Sequence, residues 1–167
     1  ALEKKLASIP LHVQPLSAPD WFIAADHDEW PDIDHLTSHR LRAVAMLNEL
    51  YNLVDQGESV DTHDFDVILD DLMARLARHP RQFAQLALLS PRDEDYLPDH
   101  AYTVTVLAMS VATRLNWPRE HVHQVGLAGL VYDVGMLAVL NRIRAGSSQL
   151  SELDRARVQK HPLHSLG

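Results

Sequence analysis

A chain of 167 residues with 46% hydrophobic and 23% charged side chains has the length of one domain and enough apolar content for a buried core, which excludes disorder as its overall state. Its 15 Lys plus Arg against 23 Asp plus Glu, a net charge of −8, exclude a general binder of nucleic acid polymers. With no cysteine, disulfides, thiolate metal sites and cysteine nucleophiles are excluded as well, and a reducing, cytoplasmic setting is expected.

Residues 1 to 35 read as a linker or the remnant of an N-terminal domain. Pro10, Pro15, Pro19 and Pro31 interrupt any long helix, with room for a short strand at Leu11-His12-Val13. Asp26-His27-Asp28-Glu29 is a polar cluster that reads as a solvated loop, with metal binding as the alternative. From Thr37 the periodicity becomes helical: Leu41, Val44, Ala45, Leu47, Tyr51 and Val54 share one face, and Gly57 supplies a stop. A second helix opens at Asp61 or Thr62, buries Phe65, Ile68, Leu69, Leu72 and Leu76, and ends at Pro80. Asp61, Asp64 and Asp66 superficially resemble a calcium loop. Asp66 and Leu72 stand where that loop needs glycine and glutamate, so the acids read as helix-start charges.

A short helix over Gln82 to Leu89 follows, then a loop from Ser90 to Asp95. Pro98 suits the first turn of a long apolar helix through Leu115, and Pro118 opens another toward Val131. After a polar loop from Arg144 to Gln149, Ser151 and Asp154 form an approximate capping box for a last helix. No alternating strand pattern appears after residue 36, no internal repeat is visible, and aromatics are only 6%. The fold class predicted is all-α, with at least five helices after residue 36. Leu107, Val111, Leu127, Leu130, Val131 and Leu137 are expected in one shared core. No run approaches 18 consecutive apolar residues, so no membrane span is expected. The opening Ala1-Leu2-Glu3-Lys4-Lys5 lacks the apolar stretch of a secretion signal.

Eleven histidines make histidine-plus-carboxylate metal chemistry the first to test. Three local patterns carry it. His100 lies near the start of a long helix in Tyr96-Leu97-Pro98-Asp99-His100. Tyr132-Asp133-Val134-Gly135-Met136 follows the apolar helix Gly126-Leu127-Ala128-Gly129-Leu130-Val131. His161-Pro162-Leu163-His164-Ser165-Leu166-Gly167 closes the sequence. Read alone, Asp133 is either a metal ligand or a simple cap. His100 and His161 are either ligands or helix-end residues satisfying carbonyls. His121 and His123 point to different faces, so no chelate is expected there. His161 and His164 could share a face, although Pro162 allows a terminal turn. Met109 and Met136 read as packing residues.

In order and texture these patterns resemble the HD-GYP family of metal-dependent phosphohydrolases. That family has a histidine on one helix, an apolar helix ending in His-Asp-x-Gly-Lys, and a His-Pro-x-x-Gly segment. His100 corresponds to the first histidine, Tyr132-Asp133 to the His-Asp doublet, Met136 to the lysine and His161 to the histidine before proline. The closing glycine, Gly167, stands two places later than in the pattern.

The resemblance covers about residues 40 to 167. It implies an HD-domain helical bundle around a site of two or three metals, hydrolysing cyclic di-GMP. Paired cations would neutralise the nonbridging oxygens of a phosphodiester and lower the pKa of a bound water to near 7. Neutral imidazoles suit iron, manganese or zinc.

Two positions depart from that plan. Tyr132 replaces an imidazole by a phenol, read as a structural tyrosine in a vacated metal position, and Met136 removes a cation that could meet phosphate. The family's second half, with its paired histidines and Gly-Tyr-Pro loop, has no counterpart among these 167 residues. Residues 36 to 167 are therefore expected to be the N-terminal part of an HD-GYP-like domain, apparently truncated on its C-terminal side, with apolar faces that need a protein partner or homodimer.

The leading expectation is a catalytically impaired module in bacterial cyclic di-GMP signalling, acting by binding or interaction. Its metal ligands would be His100, Asp133 and His161, with Asp133 as the residual catalytic group. Tyr132 and Met136 would be the degenerate positions, and a divalent metal would be at low occupancy or absent. The alternatives are an active metal-dependent cyclic di-GMP phosphodiesterase and a structural dimerisation bundle. For the impaired and the active reading alike, His100, Asp133 and His161 are expected to converge within roughly 10 Å, the separation of neighbouring helices.

Overall fold

The structure is a computed structural model and describes residues 33–85, 87, 96–144 and 151–165. The proposed strand at Leu11 to Val13, the Asp26 to Glu29 cluster, the loop from Ser90 to Asp95 and residues 145–149 lie outside the described residues. So does the linker of residues 1 to 35, apart from its last three. Every regular element among the described residues is helical, in agreement with the periodicity.

Helix α1 covers Ile33–Asp55, and a 3-10 turn at Thr62–Phe65 leads into α2, Asp66–Arg78. Then come α3 (Pro80–Gln85), α4 (Tyr96–Arg114) and α5 (Arg119–Val131). A second 3-10 turn, Val134–Met136, precedes α6 (Leu137–Arg144) and α7 (Glu152–His164).

The boundaries have local causes. Past the end of α1, Gly57 takes φ 79°. The Glu58 amide donates to the Leu53 carbonyl and the Gly57 amide to that of Val54, a Schellman closure. Asn116, at φ 57°, closes α4 in the same way, with bonds from Trp117 to Ala112 and from Asn116 to Thr113. Asp61 caps the 3-10 turn and Asp64 returns the bond to its backbone, so these acids are helix-start groups. Ser151 and Asp154 form the same reciprocal box on α7. Pro80 does more than end α2: after the single intervening residue His79, it opens α3, where its missing N–H has no cost.

The core joins α1, α2, α4 and α5 around Leu47, Leu69, Leu72, Tyr102, Val106 and Leu130, each fully buried. Leu127, Val131 and Leu137 pack at its edge. Leu107 and Val111 correct the expectation. They are 48% and 58% exposed, because α4 turns its Leu97, Ala101, Tyr102, Val106 and Met109 side inward. At 100° per residue the 107/111 stripe then lies outside. With Val104, Leu115, Trp117 and Val125 it lines an apolar surface groove of about 450 Å³.

Helices α4 and α5 approach closely at Gly126 and Gly129. A Cβ on Gly129 would stand 2.9 Å from the Thr105 Cα, which is backbone and cannot swing aside. Gly129→Ala is therefore expected to push the two helices apart and lower unfolding free energy by about 1–3 kcal/mol, measured by urea denaturation. An unchanged midpoint would mean the pair is looser than described.

By length and composition alone, the 22 residues Arg119–Leu140, with hydropathy 1.4, are apolar enough to cross a membrane. They do not run as one helix. The chain bends at Tyr132 and Asp133 and passes through the 3-10 turn before α6, and Leu130 and Val139 are core residues.

Candidate functional site

The bend after α5 sets the site. Asp133 follows the last turn of the helix at φ −101°, ψ 3°, the sparsely allowed bridge conformation. Its side chain makes no capping bond to the 3-10 turn, so the simple cap does not describe it. The carboxylate instead faces two histidines. His161 Nε2, from the last turn of α7, lies 2.8 Å from Asp133 Oδ1. His100 Nε2, from the second turn of α4, lies 3.8 Å from Oδ2. Two histidines far apart in sequence thus converge on one carboxylate whose side chain is 12% exposed.

His161 is oriented by its neighbour in sequence. A residue at position 162 would normally donate its N–H to the carbonyl of Val158, four residues earlier, but proline has none. The freed Val158 carbonyl is 2.5 Å from His161 Nδ1. A carbonyl only accepts, so Nδ1 carries a proton and Nε2 is directed at Asp133. Nε2 then either holds a second proton, as an imidazolium–carboxylate pair, or shares a cation with the carboxylate. Donation of the second ring N–H to a backbone carbonyl is the usual support of a metal-binding histidine.

Pro162→Ala would return an N–H to Val158. The helix should gain stability, up to about 3 kcal/mol, while His161 loses its tether. In imidazole nitrogen NMR the Nδ1-protonated tautomer of His161 should cease to dominate. Retention of that tautomer would show that Pro162 does not set it.

His100 is held by aromatic rings. Tyr96 stacks on it at 5.6 Å with an interplanar angle of 5°, and Tyr132 stands 6.3 Å away, tilted by 52°. Burial first, and then the hydrogen bond and charge of Asp133, push the Tyr132 phenol above its ordinary range, so it stays protonated at neutral pH. Met136 packs against the core edge. Ser165 stands where the His-Pro-x-x-Gly pattern has glycine. Its hydroxyl donates to the Tyr132 carbonyl at 2.8 Å and accepts the Gly135 amide at 2.9 Å, fastening the end of α7 to the bend.

Behind the trio lies a buried polar network. Arg40 of α1 meets Asp99 of α4 in a two-pronged pair, Nε to Oδ1 at 2.7 Å and Nη2 to Oδ2 at 2.6 Å. Both residues are 4% exposed. Arg40 Nη2 also donates to Thr103 at 3.0 Å, and the guanidinium lies over the Tyr102 ring. His39, 2% exposed, pairs through Nε2 with Asp71 and meets the Tyr102 hydroxyl at 3.0 Å through Nδ1. Sequence reading found none of Arg40, Asp99 or His39. Asp99 was visible only as an acid in a first helical turn, an ordinary exposed position.

No group of three or more His, Asp or Glu side chains among the described residues is arranged to hold a metal ion. The imidazoles of His100 and His161 face different oxygens of Asp133. His121 is exposed, and His123 points to Asp66 at 3.4 Å, so that pair makes no chelate.

No family model matches the chain, and no solved structure does. Over 131 residues, 78% of its length, the chain is 30% identical to a cyclic di-GMP phosphodiesterase of Pseudomonas aeruginosa. The match spans 31% of that protein.

Proposed function

We propose that this chain is part of an HD-GYP-type domain in cyclic di-GMP signalling, catalytically impaired and working through binding or interaction. One observation carries the reading: His100 and His161 face the carboxylate of Asp133, all three being positions that correspond to the family's motif residues. The 30% identity to a phosphodiesterase of cyclic di-GMP supports the nucleotide class.

The donor types at hand, two imidazoles and a carboxylate, are those that a single divalent ion of the iron, manganese or zinc type takes. His161 presents Nε2 at 2.8 Å from Asp133 Oδ1, and His100 Nε2 stands 3.8 Å from Oδ2. A second ion does not fit. Position 132 offers a phenol, protonated at neutral pH, in place of an imidazole, and the histidines seen to face Asp133 are His100 and His161. A single bound ion would supply electrostatic neutralisation of a phosphodiester. Asp133 would orient it, His100 and His161 would fix its place, and Tyr132 would close one side. Met136 adds no cation for phosphate.

The relative's own activity favours a second reading, a working phosphodiesterase. The two separate in one set of measurements on the 167-residue protein: calorimetric titration with cyclic di-GMP, metal content by mass spectrometry, and product chromatography in manganese and ferrous buffers. Binding without turnover, at no more than one metal per chain, is expected. Two metals per chain with steady turnover would replace the first reading with the second. Neither metal nor nucleotide binding would leave a structural bundle, with the exposed Leu107 and Val111 face as its contact surface.

A further inference from the structure

The two halves of the site are carried by elements that touch the same helix. Arg40 of α1 grips Asp99, the residue before His100, with two charge-assisted bonds. One carbonyl deeper, Thr103 ties the same turn by donating to the Asp99 carbonyl at 2.9 Å. At the other end of α1, the Tyr51 hydroxyl donates to the Leu130 carbonyl at 2.5 Å. Leu130 is in the last turn of α5, where carbonyls lack helical partners, and it precedes Tyr132 and Asp133 by two and three residues. Tyr51 is 1% exposed, so water does not take its place. Arg40 and Tyr51 are eleven residues apart, three turns, which puts them on one face of α1 about 16 Å apart along the axis.

We propose that α1 is a brace that sets the spacing of His100 and Asp133, with Arg40 and Tyr51 as its two positioning residues. This rests on the reading of the His100, Asp133 and His161 trio as the working site. Apolar burial is non-directional. A planar guanidinium locked on both oxygens of a carboxylate fixes direction as well as distance, and a phenol on an end carbonyl does the same for the bend. Arg40 acts on the His100 half and Tyr51 on the Asp133 half, so their removal must perturb different residues.

That division is the test. Ring signals of His100, His161 and Tyr132 would be followed by NMR in Tyr51→Phe and in the charge-free double variant Arg40→Met with Asp99→Leu, which avoids stranding a buried charge. Leu72→Ala serves as a control of comparable instability. Tyr51→Phe should shift His161 and Tyr132 and leave the Tyr96–His100 stack unchanged. The double variant should shift His100 and weaken its contacts to Tyr132, and the control should move neither. Affinity for manganese alone should fall about tenfold to hundredfold in either brace variant, the range for groups that orient a metal ligand. Folded variants with unshifted ring signals would overturn the brace. A wild-type protein that binds neither manganese nor cyclic di-GMP would remove the functional reading, while the ring signals would still decide the brace. Should the double variant fail to fold, Tyr51→Phe, which loses a single oxygen, decides it.

Discussion

Arg40→Met is expected to lower the unfolding free energy by about 3–5 kcal/mol, the largest loss from any single change considered for this chain. Asp99 is 4% exposed and receives both prongs of the guanidinium. Methionine fills much of the volume but leaves a carboxylate in the core with neither water nor counter-charge. Thr103 loses a donor as well. Asp99→Leu alone should cost a similar amount by stranding the guanidinium. The two together should recover most of the loss, since a well-packed apolar pair replaces a buried ion pair at little net cost. Urea denaturation of the four proteins gives the coupling directly. A single-variant loss under about 1 kcal/mol would place the pair in water, where surface ion pairs belong.

Stability should also fall as the pH drops from 6.5 to 4, through His39. Burial first, and then the nearby Arg75 guanidinium, lower its pKa to about 4, against the pull of Asp71. In the unfolded chain the imidazole titrates at its ordinary value, near 6.5. Above pH 6.5 both states hold neutral imidazole and the contribution is complete. Below it the unfolded state takes up a proton that the folded state refuses, so stability declines until the folded value is reached. The decline is about 2 kcal/mol between pH 6.5 and 5 and about 3 kcal/mol over the whole window.

A neutral ring suits its partners. Nε2–H donates to Asp71, and Nδ1 accepts the Tyr102 hydroxyl. Denaturation of wild type and His39→Gln at several pH values isolates the effect, because exposed groups such as His63 titrate in both. Equal slopes in the two proteins would show that His39 ionises freely in the folded state.

Much of the architecture follows from residues acting locally. The helices over residues 61–78, 98–115 and 118–131 and the last helix are announced by apolar spacing and by end signals that work within a turn. Gly57 adopts positive φ, Pro118 opens α5, and Ser151 meets Asp154. The same locality explains the three site candidates. His100, Asp133 and His161 are polar groups in motif-like surroundings, and the Pro162 effect on His161 is written in two adjacent letters.

The sequence by itself determined helix content, helix ends and which groups were available for chemistry, because each depends on neighbours within four residues. Tertiary structure decided what periodicity leaves open. It chose which side of α4 faces inward, exposing Leu107 and Val111 where a symmetric apolar helix offered either side. It turned Asp99 from an apparent surface acid into half of a buried pair, since only the approach of α1 supplies Arg40. It also brought His100 and His161 to the carboxylate of Asp133. That meeting depends on a Gly126 and Gly129 contact, a Ser165 fastening and a Tyr51 bond, each joining segments 20 or more residues apart, over distances that no local preference encodes.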